Sequence, residues 1–117
     1  MQTIEFEAVD GVAIFRVAGD SLDAACSKAF KQEVNELGRD HPYLVFDMEG
    51  LQFVDSSGLG AILSCLRTVS ARHGNLVLCS VGRPVQTLLE LVRMTRVFDI
   101  YPTVEEATRA CEQEQSA

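Results

Sequence analysis

Two adjacent serines stand between a carboxylate and a pair of glycines in Asp55-Ser56-Ser57-Gly58-Leu59-Gly60. A serine hydroxyl can act as an acyl nucleophile, a phosphate acceptor or a helix cap. Acyl chemistry needs a base and an orienting acid in addition. Ser56 is not in a G-x-S-x-G elbow, and the two histidines, His41 and His73, fall at loop or helix-end positions. Gly58-Leu59-Gly60 lacks the third glycine of a dinucleotide loop, and no P-loop lysine follows it. Asp47, Glu49 and Asp55 are close enough in sequence to suggest a metal, but acids spaced in this way more often cap turns and face water. Cys26, Cys65, Cys79 and Cys111 form no C-x-x-C pair, and neither histidine has a cysteine at zinc-finger spacing. They are expected to be free, mostly buried thiols, as in a reducing compartment. No metal, no cofactor and no catalysis of the chain's own are expected. Two roles remain for the serines, cap and phosphate acceptor.

The elements that hold this segment can be read from hydrophobic periodicity. Residues 3–9 alternate, with Ile4, Phe6 and Ala8 against Glu5 and Glu7, as in a strand with one wet face. Asp10-Gly11 is a hairpin turn signal, and 12–17 is the more apolar return strand. A helix is expected from about Leu22-Asp23, with Cys26, Phe30, Val34 and Leu37 inward and Gly38 at its end. The strand 43–48 follows and leads through Leu51-Gln52-Phe53-Val54 to Asp55. The next helix carries Leu59, Ile62, Leu63, Leu66 and Val69 on one stripe, and Gly74 stands where a left-handed C-terminal cap belongs. A buried strand 76–79 comes next, then a helix opened by Arg83-Pro84 with Val85, Leu88, Leu89 and Val92 inward. The chain closes with a strand 97–100 and a helix capped by Thr103, with Glu105 and Glu106 near its positive end. Alternation of strand and helix predicts an α/β fold. Its sheet is mixed but mostly parallel, with an N-terminal hairpin and about four packed helices.

At 117 residues, 47% of them apolar and 23% charged, the chain has the size and composition of one globular domain. That domain is expected over 1–112, followed by a polar C-terminal tail at 113–117. The net charge of -7 makes nucleic acid and anionic membrane surfaces poor partners. A protein with a basic patch fits better. The N-terminus does not read as a signal peptide, and no apolar run is long enough for a membrane span, so a cytoplasmic location is expected. Arg83, Arg93 and Arg96 flank the third helix and read best as a solvated polar face.

A serine at a helix start can cap through its hydroxyl, because the first backbone N–H groups lack intrahelical partners. A phosphoserine there adds charge near -2 without opposing the helix dipole. Gly58 and Gly60 would keep the first turn bare for close approach by another protein, with Leu59 between them pointing to the core.

Leu44-Val45-Phe46-Asp47-Met48, followed by Leu51-Gln52-Phe53-Val54-Asp55-Ser56-Ser57-Gly58-Leu59-Gly60, resembles the anti-sigma factor antagonists of the STAS family. Weaker agreement runs through Gly74-Asn75-Leu76-Val77-Leu78 and Arg96-Val97-Phe98-Asp99-Ile100-Tyr101-Pro102. The resemblance implies a single STAS domain in which Ser56 is phosphorylated by a partner that is both serine kinase and anti-sigma factor. A serine phosphatase would reverse the modification. It also implies a partner surface of Asp23, Asp55, Ser56, Ser57, Gly58, Leu59 and Gly60. Ser57 matches the second family serine and is assigned to the helix start. Gly19-Asp20-Ser21-Leu22-Asp23 is one residue longer than the usual family loop, so Asp20 and Asp23 both compete for the family aspartate, with Asp23 the better match. The same family also includes adaptors or scaffolds in other signalling systems (secretion, biofilm or stress complexes) and domains discussed as binding small ligands or nucleotides.

Overall fold

The computed structural model describes residues 4–17 and 19–116. Thr3, at the start of the expected first strand, and Ala117, at the end of the expected tail, lie outside them. The strands are β1 (Ile4–Val9), β2 (Val12–Val17), β3 (Ser21–Leu22), β4 (Tyr43–Asp47), β5 (Phe53–Val54), β6 (Asn75–Cys79) and β7 (Asp99–Tyr101). The helices are α1 (Ser27–Leu37), α2 (Ser56–Ser70), α3 (Arg83–Leu91) and α4 (Val104–Ser116), with a 3₁₀ turn at Met94–Arg96. Five strands form one sheet in the order β1-β2-β4-β6-β7. β1 is antiparallel to β2, and every other pair in that sheet is parallel. β3 and β5 make a separate parallel pair.

Strand alternation divides the apolar residues between the two faces of the sheet. Leu44, Phe46, Leu76 and Leu78 join Phe30, Val34, Ile62, Cys65 and Leu89 in the larger core. Val45, Val77 and Cys79 face Ala107 and Cys111 of α4 in the smaller one. Burial on both faces explains why β4 and β6 read as continuous apolar runs. β1 is an edge strand, and Glu5, Phe6, Glu7 and Ala8 are all exposed, so the expected inward set reduces to Ile4.

Several boundaries differ from the sequence expectation. α1 begins at Ser27, not near Leu22-Asp23, because Leu22 is taken up in β3 and Asp23 turns the chain. The Asp23 carbonyl accepts the N–H groups of Cys26 at 3.1 Å and Ser27 at 2.8 Å. Leu37, Val92 and Val97 lie outward rather than in the core, and β7 starts at Asp99. On α2 the buried residues are Gly58, Ala61, Ile62, Cys65 and Val69, while Leu59, Leu63 and Leu66 pack at the core's margin. Thr103 Oγ1 accepts the Glu106 N–H at 3.1 Å, the expected cap of α4. That helix runs on through residues 113–116 where a polar tail was expected, and Gln115 Nε2 donates to the Asp10 carbonyl at 3.1 Å.

α2 ends in a Schellman motif. The Gly74 N–H donates to Val69 O at 2.8 Å and the His73 N–H to Ser70 O at 3.0 Å. The left-handed residue is His73, with φ 65, and not Gly74. Gly74 is needed for a different reason: a Cβ there would lie 1.8 Å from the Pro42 carbonyl oxygen.

Candidate functional site

The β3–β5 pair fixes the start of α2. Ser21 pairs with Phe53 and Leu22 with Val54. Just beyond, the Asp55 N–H donates to the Leu22 carbonyl at 3.3 Å. Asp55 has extended backbone (φ -97, ψ -175) and is the N-cap of α2. Its Oδ1 accepts the Gly58 N–H at 2.9 Å, and its Oδ2 accepts the Ala24 N–H at 3.1 Å. Both carboxylate oxygens are therefore engaged inside the chain. One closes the helix and the other ties the β3–α1 loop to it.

Because Asp55 caps the helix, the serines are not needed for that task. Ser56 and Ser57 are the first two residues of α2, and both are exposed. The peptide N–H groups of a first helical turn have no intrahelical acceptor, so their partial positive charge lies beside these hydroxyls.

Gly58 and Gly60 differ in role. Gly58 is buried, and a Cβ there would lie 2.2 Å from the Leu22 carbonyl oxygen. Its bareness serves packing against β3. Gly60 is exposed, with open space where a Cβ would stand. Leu59, expected to point to the core, is half-buried at the core's edge.

Asp23 lies half-buried on the loop tied to Asp55. Its Oδ1 accepts the Ala25 N–H at 3.0 Å and the Cys26 thiol at 3.6 Å. Asp20 is exposed on the other side of β3. Its carbonyl accepts the N–H groups of Gln52 at 2.8 Å and Phe53 at 3.1 Å. Asp23, Asp55, Ser56, Ser57, Gly58, Leu59 and Gly60 are thus gathered at one helix start, with Asp20 on the adjoining turn. Residues 19–27 and 48–66, which belong to this end, contain Asp20, Asp23, Glu49 and Asp55 and no Lys, Arg or His. Arg16, just ahead of the first segment, is paired with Asp47 at 3.4 Å and Glu49 at 2.9 Å.

Sequence reasoning missed β3, the Ala24 tie and the outward Phe53. A two-residue strand is too short to carry a periodic signal, and a backbone N–H leaves no trace in residue type.

The geometry bears on the chemistries weighed from sequence. His73 lies past the far end of α2, roughly 22 Å from Ser56 at 1.5 Å of rise per residue. His41 approaches Gly11 at the hairpin turn, with Nδ1 3.4 Å from its carbonyl. Neither histidine is placed as a base for Ser56. Asp47 and Glu49 take Arg16, and Asp55 takes two N–H groups, so these acids do not converge. Among the described residues no group of three or more His, Cys, Asp or Glu is arranged to hold a metal ion. Among them, too, no helix is long and apolar enough to cross a membrane.

Residues 3–107 match the family model for the STAS domain. The anti-sigma F factor antagonist of Paenibacillus polymyxa is 34% identical over 100 residues, covering 84% of this chain and 85% of that protein. Among solved structures, an anti-sigma factor antagonist from Mycobacterium paratuberculosis superposes with a TM-score of 0.83 at 24% identity, covering 93% of this chain and 92% of that one. The Bacillus cell fate determinant SpoIIAA in its phosphorylated form has a TM-score of 0.70 at 20% identity, covering 92% and 97%.

Proposed function

The chain belongs to the STAS domain family of anti-sigma factor antagonists, and from that premise we propose that it is a partner switch controlled by phosphate on Ser56. Unphosphorylated, it binds an anti-sigma factor in the cytoplasm through the start of α2 and the loop that carries Asp23. The anti-sigma factor then cannot hold its sigma factor, which becomes free to direct transcription. The same partner, acting as a serine kinase, phosphorylates Ser56. A dianion left uncompensated in a contact is costly to bury, so the complex separates until a serine phosphatase restores the hydroxyl.

One observation carries this reading. Asp55 supplies the helix cap, which leaves the Ser56 hydroxyl on the surface and free of structural work. Phosphate at the N-terminus of α2 agrees with the helix dipole, so modification changes the surface and spares the fold. The similarity to a named anti-sigma F factor antagonist and to a structure solved in phosphorylated form supports the same direction.

The test is intact mass after incubation with ATP and the cognate kinase, with mapping of the modified residue. Ser56→Ala is expected to take up no phosphate and to keep binding. Ser56→Asp is expected to bind at least tenfold more weakly while circular dichroism stays native. Phosphate on Ser57 alone, or normal binding by Ser56→Asp, overturns the assignment.

A further inference from the structure

Alternation along β5 turns Val54 into the core, with 5% of its surface exposed, and turns Phe53 outward, with 53% exposed. Single exposed apolar side chains are ordinary on protein surfaces. Phe53 is set apart by where it stands. It lies three residues ahead of Ser56 on a segment held at several points. Its N–H is taken by the Asp20 carbonyl, and the Asp55 N–H by that of Leu22. The register partner of Phe53 across the β3–β5 pair is the polar Ser21. The ring is therefore presented to solvent on a held segment, three residues ahead of the exposed Ser56.

Asp20 and Asp23 flank β3, and residues 19–27 and 48–66 carry no Lys, Arg or His, while Arg83 opens the helix α3 that packs against β5. Protein contacts commonly have an aromatic anchor at a desolvated centre and a charged or polar rim. We propose that Phe53 is the apolar anchor of the partner contact, entering an apolar socket on the anti-sigma factor whose rim of Lys and Arg faces Asp20 and Asp23. This rests on the reading of Ser56 as the switch. It also gives that switch a physical cause. Phosphate on Ser56 falls at the apolar centre beside the ring and not among the rim cations, so the partner's positive charge does not compensate it.

The experiment measures binding of the purified anti-sigma factor to the wild-type chain and to Phe53→Ala, Phe53→Leu, Leu91→Ala and Ser56→Asp. Leu91 is the control, 76% exposed at the end of α3. Phe53→Ala is expected to raise Kd roughly tenfold or more, with circular dichroism and Tm unchanged. Phe53→Leu is expected to recover part of the loss, and Leu91→Ala to bind as wild type. If Phe53→Ala binds normally while Ser56→Asp does not, the anchor is wrong and the switch stands. If Leu91→Ala loses as much as Phe53→Ala, the anchor is likewise wrong. If Phe53→Ala and Ser56→Asp both bind normally, the site itself is wrong.

Discussion

A methyl group added at Gly58 would lie 2.2 Å from the Leu22 carbonyl oxygen, and one added at Gly60 would meet nothing within 4 Å. Two helical glycines, two residues apart, should therefore answer the same substitution with opposite signs. Gly58→Ala has to push β3 and α2 apart, and overpacking of this kind costs about 1–3 kcal/mol. Gly60→Ala removes a helix-interior glycine from open space and should add about 0.5–1 kcal/mol. Urea midpoints of the two variants check both values, since a change in midpoint at constant slope is a change in stability. Because Gly60 also belongs to the proposed partner surface, Gly60→Ala is expected to weaken partner binding while it stabilises the fold.

At the scale of elements, the two ends of α2 are closed by different devices. Asp55 caps the start and holds Ala24 with its second oxygen. Asp55→Ala should cost about 1 kcal/mol for the cap alone. It should also speed amide hydrogen exchange at both Gly58 and Ala24, two sites far apart in sequence that share this one carboxylate. Faster exchange at Gly58 only would show that the tie to the β3–α1 loop contributes nothing. At the other end His73 occupies the left-handed position of the Schellman motif. Glycine adopts that conformation without the steric penalty of about 1–2 kcal/mol borne by other residues. His73→Gly should accordingly raise stability by about 1 kcal/mol, read as an increase in Tm. Gly74→Ala, beside the Pro42 carbonyl, should be strongly destabilising.

For the whole molecule, the cysteines report how completely the two cores close. Burial pushes the thiols of Cys65, Cys79 and Cys111 up to about 12 from an ordinary value of 9.0, with Asp47 adding to the effect at Cys79. Cys26, at the start of α1, is half-buried. At pH 8 a thiol reagent should label Cys26 first, and the other three only on unfolding. The linkage follows from the same shifts. Below pH 9 these thiols are protonated in both states and contribute no pH dependence. Between about 9 and 12 the unfolded chain has lost protons that the native state keeps, so stability falls as pH rises. Tm measured at pH 8 and again at pH 10.5 should drop, and equal reactivity of all four thiols in the native protein would contradict the burial.

Sequence alone determined the α/β alternation, the opening hairpin and the cap at Thr103. Each is encoded locally, by a period of two or 3.6 residues or by a turn or cap residue. The exact apolar stripe of α2 was legible only to within one residue, because Leu59, Leu63 and Leu66 have the same apolar character as the residues that proved buried. Tertiary structure decided the rest. The pairing of Ser21-Leu22 with Phe53-Val54 spans more than thirty positions and involves only two residues on each side. That pairing delayed α1 to Ser27, buried Gly58 and turned Phe53 to solvent. It also brought the Ala24 N–H to Asp55. Backbone groups made these contacts, and backbone groups are the same at every residue, so the list of side chains could not announce them.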